Sequence, residues 1–170
     1  MNYQSDIDKL LEFAKGLEVD VVFKDKSPEK TIALYYNKPP KIVIFKNKVK
    51  TKPELILALL HELGHHLDFM NTKKDLHDAF AMEDMRTRHD PPLPKKIRKY
   101  IYDEEVSGIK LMLGIANKLK LDIEKWKVIR EMRLDIWVYK HYYKTGNFPT
   151  IKESSEKNKQ LTKLLKKPNK

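Results

Sequence analysis

Cysteine is absent from all 170 residues. That one absence excludes a disulfide scaffold, a Cys-ligated zinc site and a thiol nucleophile, so any transition-metal site must draw on His, Asp or Glu. No apolar run approaches the roughly 20 residues that a membrane-spanning helix needs. The opening residues, Met1-Asn2-Tyr3-Gln4-Ser5-Asp6, lack the basic segment and apolar stretch of a secretion signal. A cytoplasmic protein without a membrane partner is the expectation. No internal repeat is visible, and the length suits one compact domain with a hydrophobic core.

What the chain has in quantity is charge. Charged residues make up 35% and apolar residues 41%, and the formal net charge is +11. The charge is uneven: residues 151–170 hold seven lysines and two glutamates, +5 of the +11. The composition divides the chain into a domain over 1–150 and a Lys-rich, flexible tail over 151–170. Such a tail offers weak electrostatic contact with nucleic acid. No aromatic residue interleaves with its lysines, so it provides no stacking platform for bases.

Hydrophobic periodicity places the elements. Ile7, Leu10, Leu11, Ala14 and Leu17 recur at helical spacing in an N-terminal helix closed near Gly16. Three β-branched or aromatic runs follow, at Val19–Phe23, Thr31–Tyr36 and Lys41–Phe45, separated by Lys26-Ser27-Pro28 and Asn37-Lys38-Pro39-Pro40. They predict a small antiparallel sheet of about three strands. Thr51-Lys52-Pro53-Glu54 fits a capping box with proline in the first turn. It opens a helix that is apolar on several faces from Leu55 to Met70, the pattern of a buried helix. Residues 72–94 are polar and irregular, with a short helix around 75–86 and the character of a flap. Two more long helices are predicted, from about Lys95 to Lys118 and from Asp122 to Tyr143, with Thr145-Gly146-Asn147 as the final stop. Helix, then sheet, then helices is an α+β order.

The chemistry lies in His61-Glu62-Leu63-Gly64-His65. Four residues apart on a helix, His61 and His65 share one face one turn apart and can bind a single Zn²⁺. Glu62 is then the general base that takes a proton from water activated by the metal. Gly64, lacking a side chain, allows another element to approach this helix closely. The motif's position matters as much as its spacing, because an apolar helix would otherwise bury two histidines and a glutamate at a cost. A catalytic zinc takes a third protein ligand. The position ten residues after His61 is Asn71, so a third histidine there is absent. A glutamate from the next helix is the other solution, and Glu104 and Glu105 both qualify by periodicity. Glu105 shares a stripe with Ile101, Ile109, Met112 and Ala116; Glu104 shares one with Ile97, Gly108, Leu111 and Ile115.

The stretch Leu59-Leu60-His61-Glu62-Leu63-Gly64-His65-His66-Leu67 resembles the zinc helix of the ImmA/IrrE-type metallopeptidases, small gluzincin-like proteins of bacteria and phages. The similarity extends upstream to the strand Lys41-Ile42-Val43-Ile44-Phe45 and downstream to Glu105-Val106, covering roughly residues 19–116. The resemblance implies a zincin-like fold, His61, His65 and Glu105 as zinc ligands, Glu62 as catalytic base, and a phage or mobile-element origin.

The expected function is hydrolysis of a protein or peptide substrate lying extended along the strand Ile42–Phe45, taken as a sheet edge. The alternatives are a zinc-bearing regulatory or binding module with little turnover, and a basic nucleic-acid-associated protein with a structural metal site. Around the motif, His66 is expected at the surface or behind the ligands. Asp68 is expected either to orient His65 or to be a surface charge. His77, His89 and His141 are expected to be ordinary. Tyr100, Tyr102, Tyr139, His141, Tyr142 and Tyr143 are the available donors for an oxyanion. The stripe Trp126, Ile129, Met132, Ile136, Tyr139 and Tyr143 is expected in the core.

Overall fold

The structure, a computed structural model, describes residues 2–27, 32–72 and 93–166. Among these, five helices and three strands follow in the order α1 (Tyr3–Gly16), β1 (Asp20–Lys24), β2 (Ala33–Asn37), β3 (Pro40–Phe45), α2 (Lys52–Thr72), α3 (Lys95–Lys118), α4 (Lys125–Thr145) and α5 (Ile151–Leu165). The chain is α+β, as its element order predicts. The short helix expected around 75–86, together with His77 and His89, lies outside the described residues.

The sheet is mixed, which corrects the expectation of an antiparallel one. Its strand order is β1-β3-β2, with β2 antiparallel to β3 and β1 parallel to it. The reason lies in the apolar content of the strands. Ile42, Val43, Ile44 and Phe45 are all buried, whereas Val22 and Phe23 of β1 are exposed. A strand apolar on both faces is stable only where both faces are covered, so β3 takes the centre. This overturns the assignment of Ile42–Phe45 as a sheet edge, because β3 is paired on both sides.

The helices begin and end largely where their signals stand. Asn2 caps α1 by accepting from the Ser5 backbone N–H. At the start of α2, Glu54 N–H donates to Thr51 Oγ1 at 3.3 Å, and the Glu54 carboxylate accepts from Lys50 and Thr51 N–H. Helix α4 starts after Glu124 and not at Asp122. Asp122 instead ties the α3–α4 connection to the start of α1, its Oδ2 accepting from Asn2 N and its own N–H donating to the buried Asp6 carboxylate. Gly146 closes α4 in the left-handed conformation, φ 84°.

The main core gathers Ile7, Leu10 and Ala14 of α1, Ile42 and Ile44 of β3, Ile56, Leu59, Leu60 and Leu63 of α2, and Ile109 and Met112 of α3. Helix α2 is thus enclosed by α1, the sheet and α3, which accounts for its apolar character all round. Met132, Ile136 and Tyr139 of α4 pack on the same core, as their spacing predicts. Residues Ile151–Leu165 form a helix, which corrects the expectation of a flexible tail from 151. Thr150 and Glu153 make a complete capping box, and Leu161 is buried where α5 lies along α4. Thr-x-x-Glu is a helix start signal that outweighs lysine-rich composition.

Candidate metal centre

Helix α2 presents His61 and His65 one turn apart, toward α3. Their Nε2 atoms are 3.0 Å from each other. Glu105, on α3, brings Oε2 to 3.5 Å from His61 Nε2 and 3.3 Å from His65 Nε2. One ligand atom from each residue therefore meets in a single triangle. Periodicity leaves Glu104 and Glu105 equivalent. The crossing of the two helices brings Glu105 to the histidines, whereas Glu104, also buried, does not join their group of ligand atoms.

Two glycines make this crossing possible. A Cβ on Gly64 would lie 2.3 Å from the Gly108 carbonyl oxygen, and one on Gly108 would lie 2.7 Å from His65 Nδ1. Neither distance is compatible with an ordinary side chain. The close approach expected of Gly64 is thus made, and Gly108 is its counterpart on α3. Beside it, Ser107 Oγ donates to Asp68 Oδ1 at 2.5 Å, tying α2 to α3 within two residues of Glu105. Asp68 is buried, so it is not a surface charge.

The triangle suits a cation better than hydrogen bonds. Glu105 is 4% exposed, and its Oε2 is a buried oxygen with no hydrogen bond of acceptable geometry. A tetrahedral zinc with N and O ligands at roughly 2.0–2.2 Å spaces those ligands by about 3.3–3.6 Å. The observed edges of 3.0, 3.5 and 3.3 Å are close to that spacing. The donor set, two imidazoles and a carboxylate, also suits zinc.

Charge strengthens the fit. Glu62 is 8% exposed; burial pushes its carboxyl up, against the downward pull of His61 and His65. Burial also works to raise Glu105, but His65 and His61 outweigh it and hold this carboxyl well below the usual carboxylate range. For His61, burial opposes the charged ring, yet Asp135 and Glu105 together hold it well above the ordinary value. A chain of net charge +11 has concentrated Glu62, Glu105 and Asp135 around two histidines. The field that favours a proton on His61 equally favours a divalent cation beside it.

Of the two positions expected for His66, the structure gives the buried one, at 1% exposed. Its Nδ1 is 2.9 Å from the Tyr35 hydroxyl of β2. Burial pushes Tyr35 up to about 12 and His66 down, so the phenol keeps its proton and can donate it to a neutral ring. This bond ties β2 to α2 at the residue after His65. Tyr142 is also buried, stacked on Phe148 at 4.4 Å, which removes it from the candidate oxyanion donors. His141 lies against Trp137.

Sequence reasoning missed Asp135 of α4, whose Oδ2 is 3.4 Å from His61 Nδ1. A signal was present, since Asp135 is a polar interruption of the stripe that includes Met132 and Tyr139. No protein-family model, curated protein or solved structure matches the chain.

Proposed function

We propose that the chain is a zinc-dependent metallopeptidase of the ImmA/IrrE-like, zincin-like kind, with His61, His65 and Glu105 as ligands and Glu62 as general base. The observation that carries this reading is the triangle of His61 Nε2, His65 Nε2 and Glu105 Oε2, drawn from two helices and closed on a buried oxygen without a hydrogen bond. When bound, zinc supplies Lewis-acid chemistry, acidifying a coordinated water and polarising a scissile carbonyl. Glu62 follows a ligand directly in sequence, and its carboxylate accepts the proton of the attacking water and delivers it to the leaving nitrogen. Its raised affinity for a proton suits both transfers. A peptide substrate would run along β2, which among the described residues is hydrogen-bonded to β3 on one side only and lies against α2.

The test is metal content followed by cleavage. About one zinc per chain is expected, lost from His61→Ala and His65→Ala. Glu104→Ala should keep zinc while Glu105→Ala weakens it. Glu62→Gln should retain the metal and lose peptide cleavage by roughly 10²–10⁴-fold. Full zinc occupancy in the double histidine variant would reject the site. Wild-type cleavage by Glu62→Gln would reject Glu62 as the general base, and bound zinc with no peptide cleavage by the unaltered chain would leave a zinc-bearing regulatory module as the better reading.

A second activity is favoured by a separate observation. Lys152, Lys159 and Lys163 of α5 are exposed and share one helical stripe with the exposed Glu156, a surface whose excess of positive charge suits weak phosphate contact with nucleic acid.

A further inference from the structure

We infer that Asp135 is a positioning residue for His61, a role that rests on reading His61, His65 and Glu105 as metal ligands. The His61 ring lies between two carboxylates. Its Nε2 faces Glu105 Oε2 at 3.5 Å and its Nδ1 faces Asp135 Oδ2 at 3.4 Å. A neutral imidazole carries one N–H, on either nitrogen, and only the bare nitrogen can ligate a metal. Asp135, an acceptor when ionised, favours the proton on Nδ1 and so leaves the Nε2 lone pair directed at the triangle. The contact is longer than an ideal N–H···O bond. It still selects the tautomer, because only the Nδ1–H form presents positive charge to the carboxylate.

The placement of Asp135 has no other evident use in packing. It stands between Met132 and Tyr139, both packed on the core, at a point where an apolar side chain would bury more surface. Its side chain is 24% exposed, and a largely desolvated carboxylate needs a partner. Arg130, on the same helix, is engaged with Glu131 at 3.2 Å. Asp135 also gives α4 a part in a site otherwise built from α2 and α3, so that a third helix bears on the direction of a metal ligand.

The experiment is a chelator-competition titration of zinc affinity, with the visible absorption of the Co²⁺-substituted protein as a report on ligand geometry. Asp135→Ala should weaken zinc by roughly 10–100-fold and alter the Co²⁺ spectrum. Asp135→Asn, whose amide oxygen still accepts from Nδ1–H, should restore the spectrum and recover part of the affinity. Lys140→Gln, exposed on the same helix, should match wild type in both. Wild-type affinity and spectrum in Asp135→Ala, with metal lost from His61→Ala, overturn the positioning role and leave the ligand set standing. Metal retained in His61→Ala overturns both. If Asp135→Ala does not fold, Asp135→Asn decides: a several-fold loss of affinity supports the role, and wild-type affinity overturns it.

Discussion

Glu62 is a buried acid whose surroundings resist its charge. Burial raises its carboxyl, and Glu105 and Asp135 add to that, against the pull of His61 and His65. A carboxyl that binds its proton more tightly folded than unfolded stabilises the fold at low pH, and that stability is lost as pH rises through the raised value. Glu62→Gln cannot ionise. In metal-free protein it should therefore melt higher than wild type at pH 7, and the difference should vanish below about pH 4, where both side chains are neutral. Thermal melts across that range test this; a variant less stable than wild type at neutral pH would show that the Glu62 charge is compensated. Glu105 has the opposite sign. Its lowered carboxyl contributes stability above the ordinary carboxylate range, lost as pH falls toward its folded value. Glu62 thus costs stability at neutral pH and Glu105 contributes it.

At the scale of elements, the site depends on how closely α2 and α3 cross. Gly64→Ala sets a Cβ against the Gly108 backbone carbonyl, which no side-chain rotation can relieve. The helices must separate, at a cost of about 1–3 kcal/mol. Gly108→Ala instead meets the His65 ring, so its larger effect should fall on the metal. Urea denaturation and zinc content of the two variants separate these outcomes; a wild-type midpoint for Gly64→Ala would mean the crossing is looser than described. Helix α5 lies outside this arrangement, since it packs on α4 and contributes no ligand. Removal of residues 151–170 should lower the melting temperature by exposing what Leu161 covers, with zinc content unchanged. Thr150→Ala should cost about 1 kcal/mol through loss of the cap. A truncated chain with an unaltered melt would show that α5 adds nothing to the fold.

For the whole molecule, charge is divided between an acidic site and a basic exterior. Glu62, Glu105 and Asp135 meet beside His61 near the middles of α2, α3 and α4, while Lys152, Lys159 and Lys163 of α5 are exposed. Binding of duplex DNA through Lys152, Lys159 and Lys163 should be weak and fall steeply with salt, with a log–log slope of about −3 for three phosphate contacts. Fluorescence anisotropy at stepped salt measures the slope, and replacing the three lysines by glutamine should abolish it. Binding that is unaltered by the substitutions would place the contact elsewhere. No helix among the described residues is long and apolar enough to cross a membrane.

The sequence by itself determined the local features of this protein. Helical spacing put His61 and His65 on one face, the Thr51–Glu54 box started their helix, and apolar periodicity marked the approximate extent of α3. Each depends on neighbours three or four positions apart, which a linear pattern records. What only tertiary structure decided are choices between distant segments. Glu104 and Glu105 both lie on apolar-flanked stripes, and the crossing at Gly64 and Gly108 brings Glu105 to the histidines. The alternation of strand and turn is the same for a meander and for a β1-β3-β2 sheet; burial on both faces put β3 at the centre. Asp135 is one charge among many in the sequence. It comes to His61 because α4 packs its Met132–Tyr139 stripe onto the core and carries the carboxylate with it.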